Sequence, residues 1–89
     1  MNREEPRKNE IWRHFKGKYY KIICIGHHSE TGEKMVVYVK VSHVYEITDD
    51  VYVIMDEPCI RPLDMFMSEV DHEKYPDVKQ KYRFERVEK

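Results

Sequence analysis

Two runs of β-branched and aromatic residues, 19–28 and 34–41, flank the five-residue turn Ser29-Glu30-Thr31-Gly32-Glu33, and no other feature constrains the chain as tightly. Val, Ile and Tyr suit a pleated, half-buried surface. A glycine late in a short loop is what many hairpin connections require. In the first run Tyr20, Ile22 and Cys24 share one face while Ile23 and Ile25 share the other. Apolar residues on both faces imply a strand that is largely buried, or one lying where a sheet curls over a core. Gly26, near its end, suggests a bend or bulge. In the return run Met35, Val37, Val39 and Val41 alternate with Lys34, Tyr38 and Lys40, and Val36 breaks the strict pattern.

Around this hairpin the remaining segments are short. Residues 11–15, Ile-Trp-Arg-His-Phe, form an apolar and aromatic run that ends at Lys16-Gly17-Lys18. Residues 42–50 contain Val44, Tyr45 and Ile47, which extend a strand, and Asp49-Asp50, which read as a turn. Residues 51–55 are another β run, closed by Asp56-Glu57-Pro58. Pro62 suits the first position of a helical turn, and Leu63, Met65 and Phe66 cluster over that turn. Residues 67–70 start another strand, 71–77 are a turn or loop, and 78–87 alternate from Lys81 onward as a final half-exposed strand. There is no long amphipathic helix. The expected fold is all-β (mostly β): five to seven short strands in a small, strongly bent antiparallel sheet or SH3-like barrel, with one short helical turn near residues 62–66. The 89 residues make one domain over 11–87, preceded by a disordered polar tail over 1–10.

Composition narrows the setting. No stretch reaches the length of about 18 apolar residues that a membrane span needs. The chain opens on Met1-Asn2-Arg3-Glu4-Glu5 and stays polar to Glu10, so no signal-like run is read there. The two cysteines, Cys24 and Cys59, are then expected as reduced thiols in a cytoplasmic protein. A net charge of −1 argues against coating nucleic acid by bulk electrostatics, but it permits a local basic patch.

Several of these residues occur together in a known pattern: Trp12-Arg13-His14-Phe15-Lys16-Gly17, Tyr20, His28-Ser29-Glu30-Thr31, Val36-Val37-Tyr38, and Arg61-Pro62 with Met65-Phe66. On these residues the chain resembles the bacterial domain of unknown function 1653 family, over about residues 11–70. It departs from that pattern where residues 40–58 form a longer connection. Val39 also stands where the family usually has an arginine, and Cys59 where it usually has an aromatic. The resemblance implies a small β domain of bacterial origin and supplies no activity.

Candidate chemistry is sparse. Five histidines invite a metal, yet His27 and His28 are strand neighbours that point to opposite faces. A site from His28, His14 and Cys24 has no supporting ligand spacing, so neither a metal nor a cofactor is expected. His28-Ser29 is a poor nucleophile and base pair, because neighbours in sequence rarely meet across space, and Ser29 to Gly32 is good turn chemistry. Arg61, set between Ile60 and Pro62, needs a carboxylate or carbonyl partner, for which Glu30 and Asp64 are available, or else it holds an anionic ligand.

Three functional readings follow. The first is a non-enzymatic binding or interaction module, its tentative ligand-binding residues being His14, His28, Ser29, Glu30, Thr31, Tyr38 and Arg61. The second is single-stranded nucleic-acid binding through residues 12–21. There Trp12, Arg13, Lys16, Lys18, Tyr19 and Lys21 interleave rings and cations, and Lys79, Lys81, Arg83 and Arg86 add a second basic run. It requires Trp12 or the tyrosines to be exposed beside the lysines. The third is a small enzyme or anion-binding site around His28 and Arg61, with Glu30 as a possible third group. The partner is accordingly an unknown protein, a small anionic ligand or nucleic acid, with no membrane, and the chain is a monomer or weak homodimer.

Overall fold

A computed structural model of the chain describes residues 4–44, 51–53 and 57–87. Six strands and one helical turn follow in order: β1 (Ile11–His14), β2 (Tyr19–His27), β3 (Lys34–Val44), β4 (Val51–Val53), β5 (Cys59–Pro62), α1 (Leu63–Phe66) and β6 (Phe84–Arg86). All pairings are antiparallel. Five strands run in the order β4-β3-β2-β1-β6, and β5 shares with β4 the edge of β3 that faces away from β2. β3 is therefore the organising strand, with Met35 to Tyr38 held between β2 and β5.

The fold is mostly β, as expected, in its open-sheet form. Among the described residues β6 pairs only with β1, and β4 and β5 only with β3, so strand pairing closes no barrel. The helical turn α1 follows β5 and packs on β3 and β5. Residues 68–70 then meet 81–83 through Val70 N–H to Lys81 O and Arg83 N–H to Ser68 O, both 2.9 Å. Arg83 O in turn accepts from Phe15 N–H at 2.9 Å, tying this short ladder to the end of β1. The last strand is shorter than residues 78–87, and the start expected at 67–70 amounts to one isolated bridge, Glu69 with Tyr82.

A bulge in β2 decides which side chains form the core. Ile22 pairs with Tyr38 but Cys24 pairs with Val37, so Ile23 is the extra residue. The inserted residue swaps the alternation. Ile25, placed by simple period-2 reading opposite Ile22, packs against the same cluster as Ile22, while Cys24 and Ile23 are exposed. Gly26 is not the irregular position; it pairs regularly with Met35. Val36 is likewise no exception on β3, because Val36 and Tyr38 face the core together and Val39 and Val41 are buried on the other side.

The core is aromatic. Trp12, Ile22, Val36, Tyr38, Leu63, Phe66 and Phe84 are buried, and Tyr20, Ile25 and Met67 pack against them. Phe66 from α1 stacks on Phe84 from β6, with centroids 4.1 Å apart and planes at 10°, and Trp12 meets Phe66 edge-on at 5.3 Å. Each such pair adds about 0.5–1.5 kcal/mol beyond its burial. The turn α1 thus fills the space that strand pairing leaves open. Pro62 stands just before it, at the N-cap (φ −54°).

Of the polar tail expected over 1–10, the described part is tied to the sheet at its end. Asn9 N–H donates to Ile22 O at 2.8 Å, Ile22 N–H donates to Glu10 O at 2.9 Å, and Pro6 is buried. Glu10 also accepts from the Trp12 indole at 3.1 Å and from Arg86 at 3.2 Å. The turn expected at Asp49-Asp50 and the end of the 51–55 run lie outside the described residues.

Candidate functional site

The end of β1, the end of β5, the segment before β6 and the 71–75 loop meet around a cleft of about 310 Å³. His14, Phe15, Lys16, Arg61, Asp71, Lys74, Tyr75 and Arg83 line it. Each side chain is delivered by local structure. Arg61 lies opposite Val36 in the β3–β5 ladder, and Val36 is fully buried in the core, so Arg61 belongs to the core-facing row of its strand. Its guanidinium carbon stands 5.5 Å from the Phe84 ring centroid. Arg83 is held through its backbone between Phe15 and Ser68. Gly17, at φ +99°, turns the chain after β1 and brings Lys16 N–H to His14 Nδ1 at 3.1 Å. In the loop, Asp71 Oδ1 accepts from Glu73 and Lys74 N–H at 3.1 and 3.3 Å, and Tyr75 N–H donates to Asp71 O at 2.9 Å. Asp71 thereby organises the turn that carries Lys74 and Tyr75.

His14 is enclosed by rings: Phe15 stacked at 4.5 Å, Phe84 edge-on at 4.8 Å and Tyr20 at 6.4 Å. Burial disfavours its charged form, and Arg61, Lys16 and Arg83 repel a further positive charge, so its pKa falls to about 4. At neutral pH the ring is neutral. Since Nδ1 accepts the Lys16 N–H, the proton resides on Nε2, which is a donor. Burial also pushes the Tyr38 phenol up, and the neighbouring Arg61, by its charge and a hydrogen bond, pulls it partly back.

Four cations therefore meet one carboxylate in this cleft. Arg61 pairs with neither Glu30 nor Asp64, and no ion pair among the described residues involves Lys16, Arg61, Lys74 or Arg83. Lys16 and Lys74 lie instead over the Tyr75 ring, at 5.7 and 5.6 Å from its centroid. Such convergence of like charge is electrostatically unfavourable unless something negative is bound there.

The tentative ligand-binding residues divide. His14 and Arg61 line the cleft, and Tyr38 joins them through Arg61. His28, Ser29, Glu30 and Thr31 do not line it. They build the hairpin turn, in which His28 Nδ1 accepts from Glu30 and Thr31 N–H at 3.1 and 3.3 Å, and Thr31 Oγ1 accepts from Glu33 N–H at 3.2 Å. Of the basic-aromatic segment, Trp12 is only 3% exposed and sits in the core, so it cannot stack a base. Tyr19 is half-buried, Arg13 and Lys21 flank it on the opposite side of the sheet from Trp12, and Lys16 alone of this set reaches the cleft. Contact with Lys40, and its like charge, lower the pKa of Lys18. In the second basic run Lys81 and Arg86 are paired with acids, whereas Arg83 faces the cleft. Sequence reasoning missed Asp71, Lys74 and Tyr75, which carry no motif and reach the site only through the fold.

The model of the family described as protein of unknown function (DUF1653) matches residues 10–86. The chain belongs to this family. The match takes in both the hairpin and the 71–83 segment that completes the cleft, so the cleft is built wholly from family-matched residues. No curated protein and no solved structure matches the chain. Among the described residues no three His, Cys, Asp or Glu side chains gather as metal ligands, and no helix is long and apolar enough to cross a membrane.

Proposed function

We propose that this chain is a small β-sheet binding module whose ligand is an anion seated in the cleft between β1, β5 and the 71–75 loop. One observation carries the reading: Lys16, Arg61, Lys74 and Arg83 line a single cleft and make no salt bridge among the described residues. What distinguishes the cleft is that four cations converge in it, since isolated surface cations such as Lys21 and Lys79 also make no salt bridge among the described residues. Two guanidinium groups supply planar forks suited to oxyanions, and the Phe84 ring under Arg61 limits the freedom that binding would cost. The nucleic-acid alternative asked for Trp12 or the tyrosines to be exposed beside the lysines, whereas Trp12 is buried and Tyr19 and Tyr20 are half-buried.

The test is an amide NMR titration at constant ionic strength, comparing sulfate and malonate with chloride and with short single-stranded DNA and RNA. Saturable shifts at residues 14–16, 61, 74–75 and 83, weakened at least about tenfold in an Arg61→Gln, Arg83→Gln double variant, are expected. A fingerprint that moves no more with sulfate or malonate than with chloride overturns the reading. Shifts confined to Arg13, Lys18, Tyr19 and Lys21 with nucleic acid alone replace it with the second one.

A further inference from the structure

Resting on the anion-binding reading, we propose that the cleft is a site for the phosphoryl group of a small organic phosphomonoester. Charge and donor count favour this over a carboxylate. The four cations and single carboxylate of the lining leave an excess of three positive charges. A monocarboxylate would balance one of them, whereas a phosphomonoester brings about −1.5 to −2 at neutral pH and three strong acceptor oxygens. The lining is rich in donors to match. Arg61 and Arg83 each present five N–H groups, Lys16 and Lys74 three each, and neutral His14 adds Nε2–H. The Asp71 carboxylate is the one acceptor side chain with formal charge, and one of its oxygens is already held by Glu73 and Lys74 N–H. That leaves an oxygen for a hydroxyl of the ligand rather than for its phosphoryl end.

Two aromatic rings also line the cleft, beside the Lys16 and Lys74 side chains. Phe15 and Tyr75 stand 5.1 Å apart at a tilt of 58°, both half-buried, and they offer ring surface for the organic remainder of the ligand. A volume of about 310 Å³ lies at the lower end of small-molecule sites, so the ligand is small. Neutrality of His14 at pH 7 fits the same picture, because a site that already holds four cations gains a donor without a fifth charge.

The experiment is isothermal titration of the intact chain at pH 7.5 and constant ionic strength. The probes are inorganic phosphate, phenyl phosphate, malonate and benzoate. Phenyl phosphate is expected to bind most tightly, inorganic phosphate about tenfold more weakly, and the two carboxylates more weakly again. Arg61→Lys keeps the charge but loses the fork, and it is expected to erase the preference of phosphate over malonate while its amide fingerprint stays folded. Malonate binding as tightly as phosphate overturns the phosphoryl assignment and leaves the anion reading standing. Phenyl phosphate no tighter than inorganic phosphate overturns the organic part. If none of the four probes binds, both the inference and the reading beneath it fall.

Discussion

At the scale of single residues, His14 and Glu10 set how the fold meets acid. The His14 pKa drops from 6.5 to about 4, first because burial disfavours the charged ring and then because Arg61, Lys16 and Arg83 surround it. Between those values the unfolded chain binds a proton that the folded one does not. Stability from this group is therefore complete above about pH 6.5 and declines as pH falls toward 4. After allowance for solvent screening of a half-buried ring, the loss is about 1–2 kcal/mol. Glu10 behaves as a second, later step. Burial alone would raise its pKa, but the Arg7 N–H, the Trp12 indole and Arg86 outweigh it and lower it below 4.5. Its contribution is present above the unfolded carboxylate value and disappears as pH falls through the lowered one. Urea midpoints measured from pH 7.5 to 3 are expected to fall in the wild type from about pH 6.5 downward. In His14→Gln they are expected to stay flat until about pH 4.5, where the carboxylate step begins. An unchanged slope in the variant would show that His14 is not the proton-linked group.

At the scale of elements, two glycines separate turn chemistry from strand chemistry. Gly17 sits at φ +99° between β1 and β2, a conformation that costs an L side chain dearly. Gly26 has ordinary strand backbone, regular pairing with Met35 and nothing within 4 Å of where a Cβ would sit. Gly17→Ala is expected to destabilise by about 1 kcal/mol or more, and Gly26→Ala to stabilise by about 0.4–1 kcal/mol. Thermal melts of the two variants, moving in opposite directions, check the pair. The same comparison explains what the sequence makes legible. The β2–β3 hairpin is readable because turn residues and β-branched runs are local signals. Which face of β2 is inside is not, because one bulged residue, Ile23, reverses the alternation beyond it, and nothing in Ile-Ile-Cys-Ile marks where the extra residue falls. Arg61 is identifiable as a candidate from its setting between Ile60 and Pro62. Asp71, Lys74 and Tyr75 are not, since a polar loop reaches the cleft only through the 68–70 and 81–83 ladder and the Gln80 contacts to Arg13.

For the molecule as a whole, a net charge of −1 coexists with a locally cationic cleft. Glu5 pairs with Lys34, Glu69 with Lys81, and Glu4 and Glu10 with Arg86, while four cations and a single carboxylate line the cleft. Those exposed pairs contribute little to stability, which rests on the aromatic core between α1 and the sheet. The placement of β3 has a further consequence, in the time its amides take to exchange with solvent deuterium. Met35 to Tyr38 are flanked by β2 on one side and β5 on the other, so they are expected to exchange only through global unfolding. Among the described residues β5 pairs with β3 alone, and its outward amides are expected to exchange far sooner. Arg61 lies on that loosely protected strand. A bound ligand would thus be recorded as slowed exchange at Cys59, Ile60 and Arg61 with β3 unchanged, a local tightening readable without knowing the ligand's name.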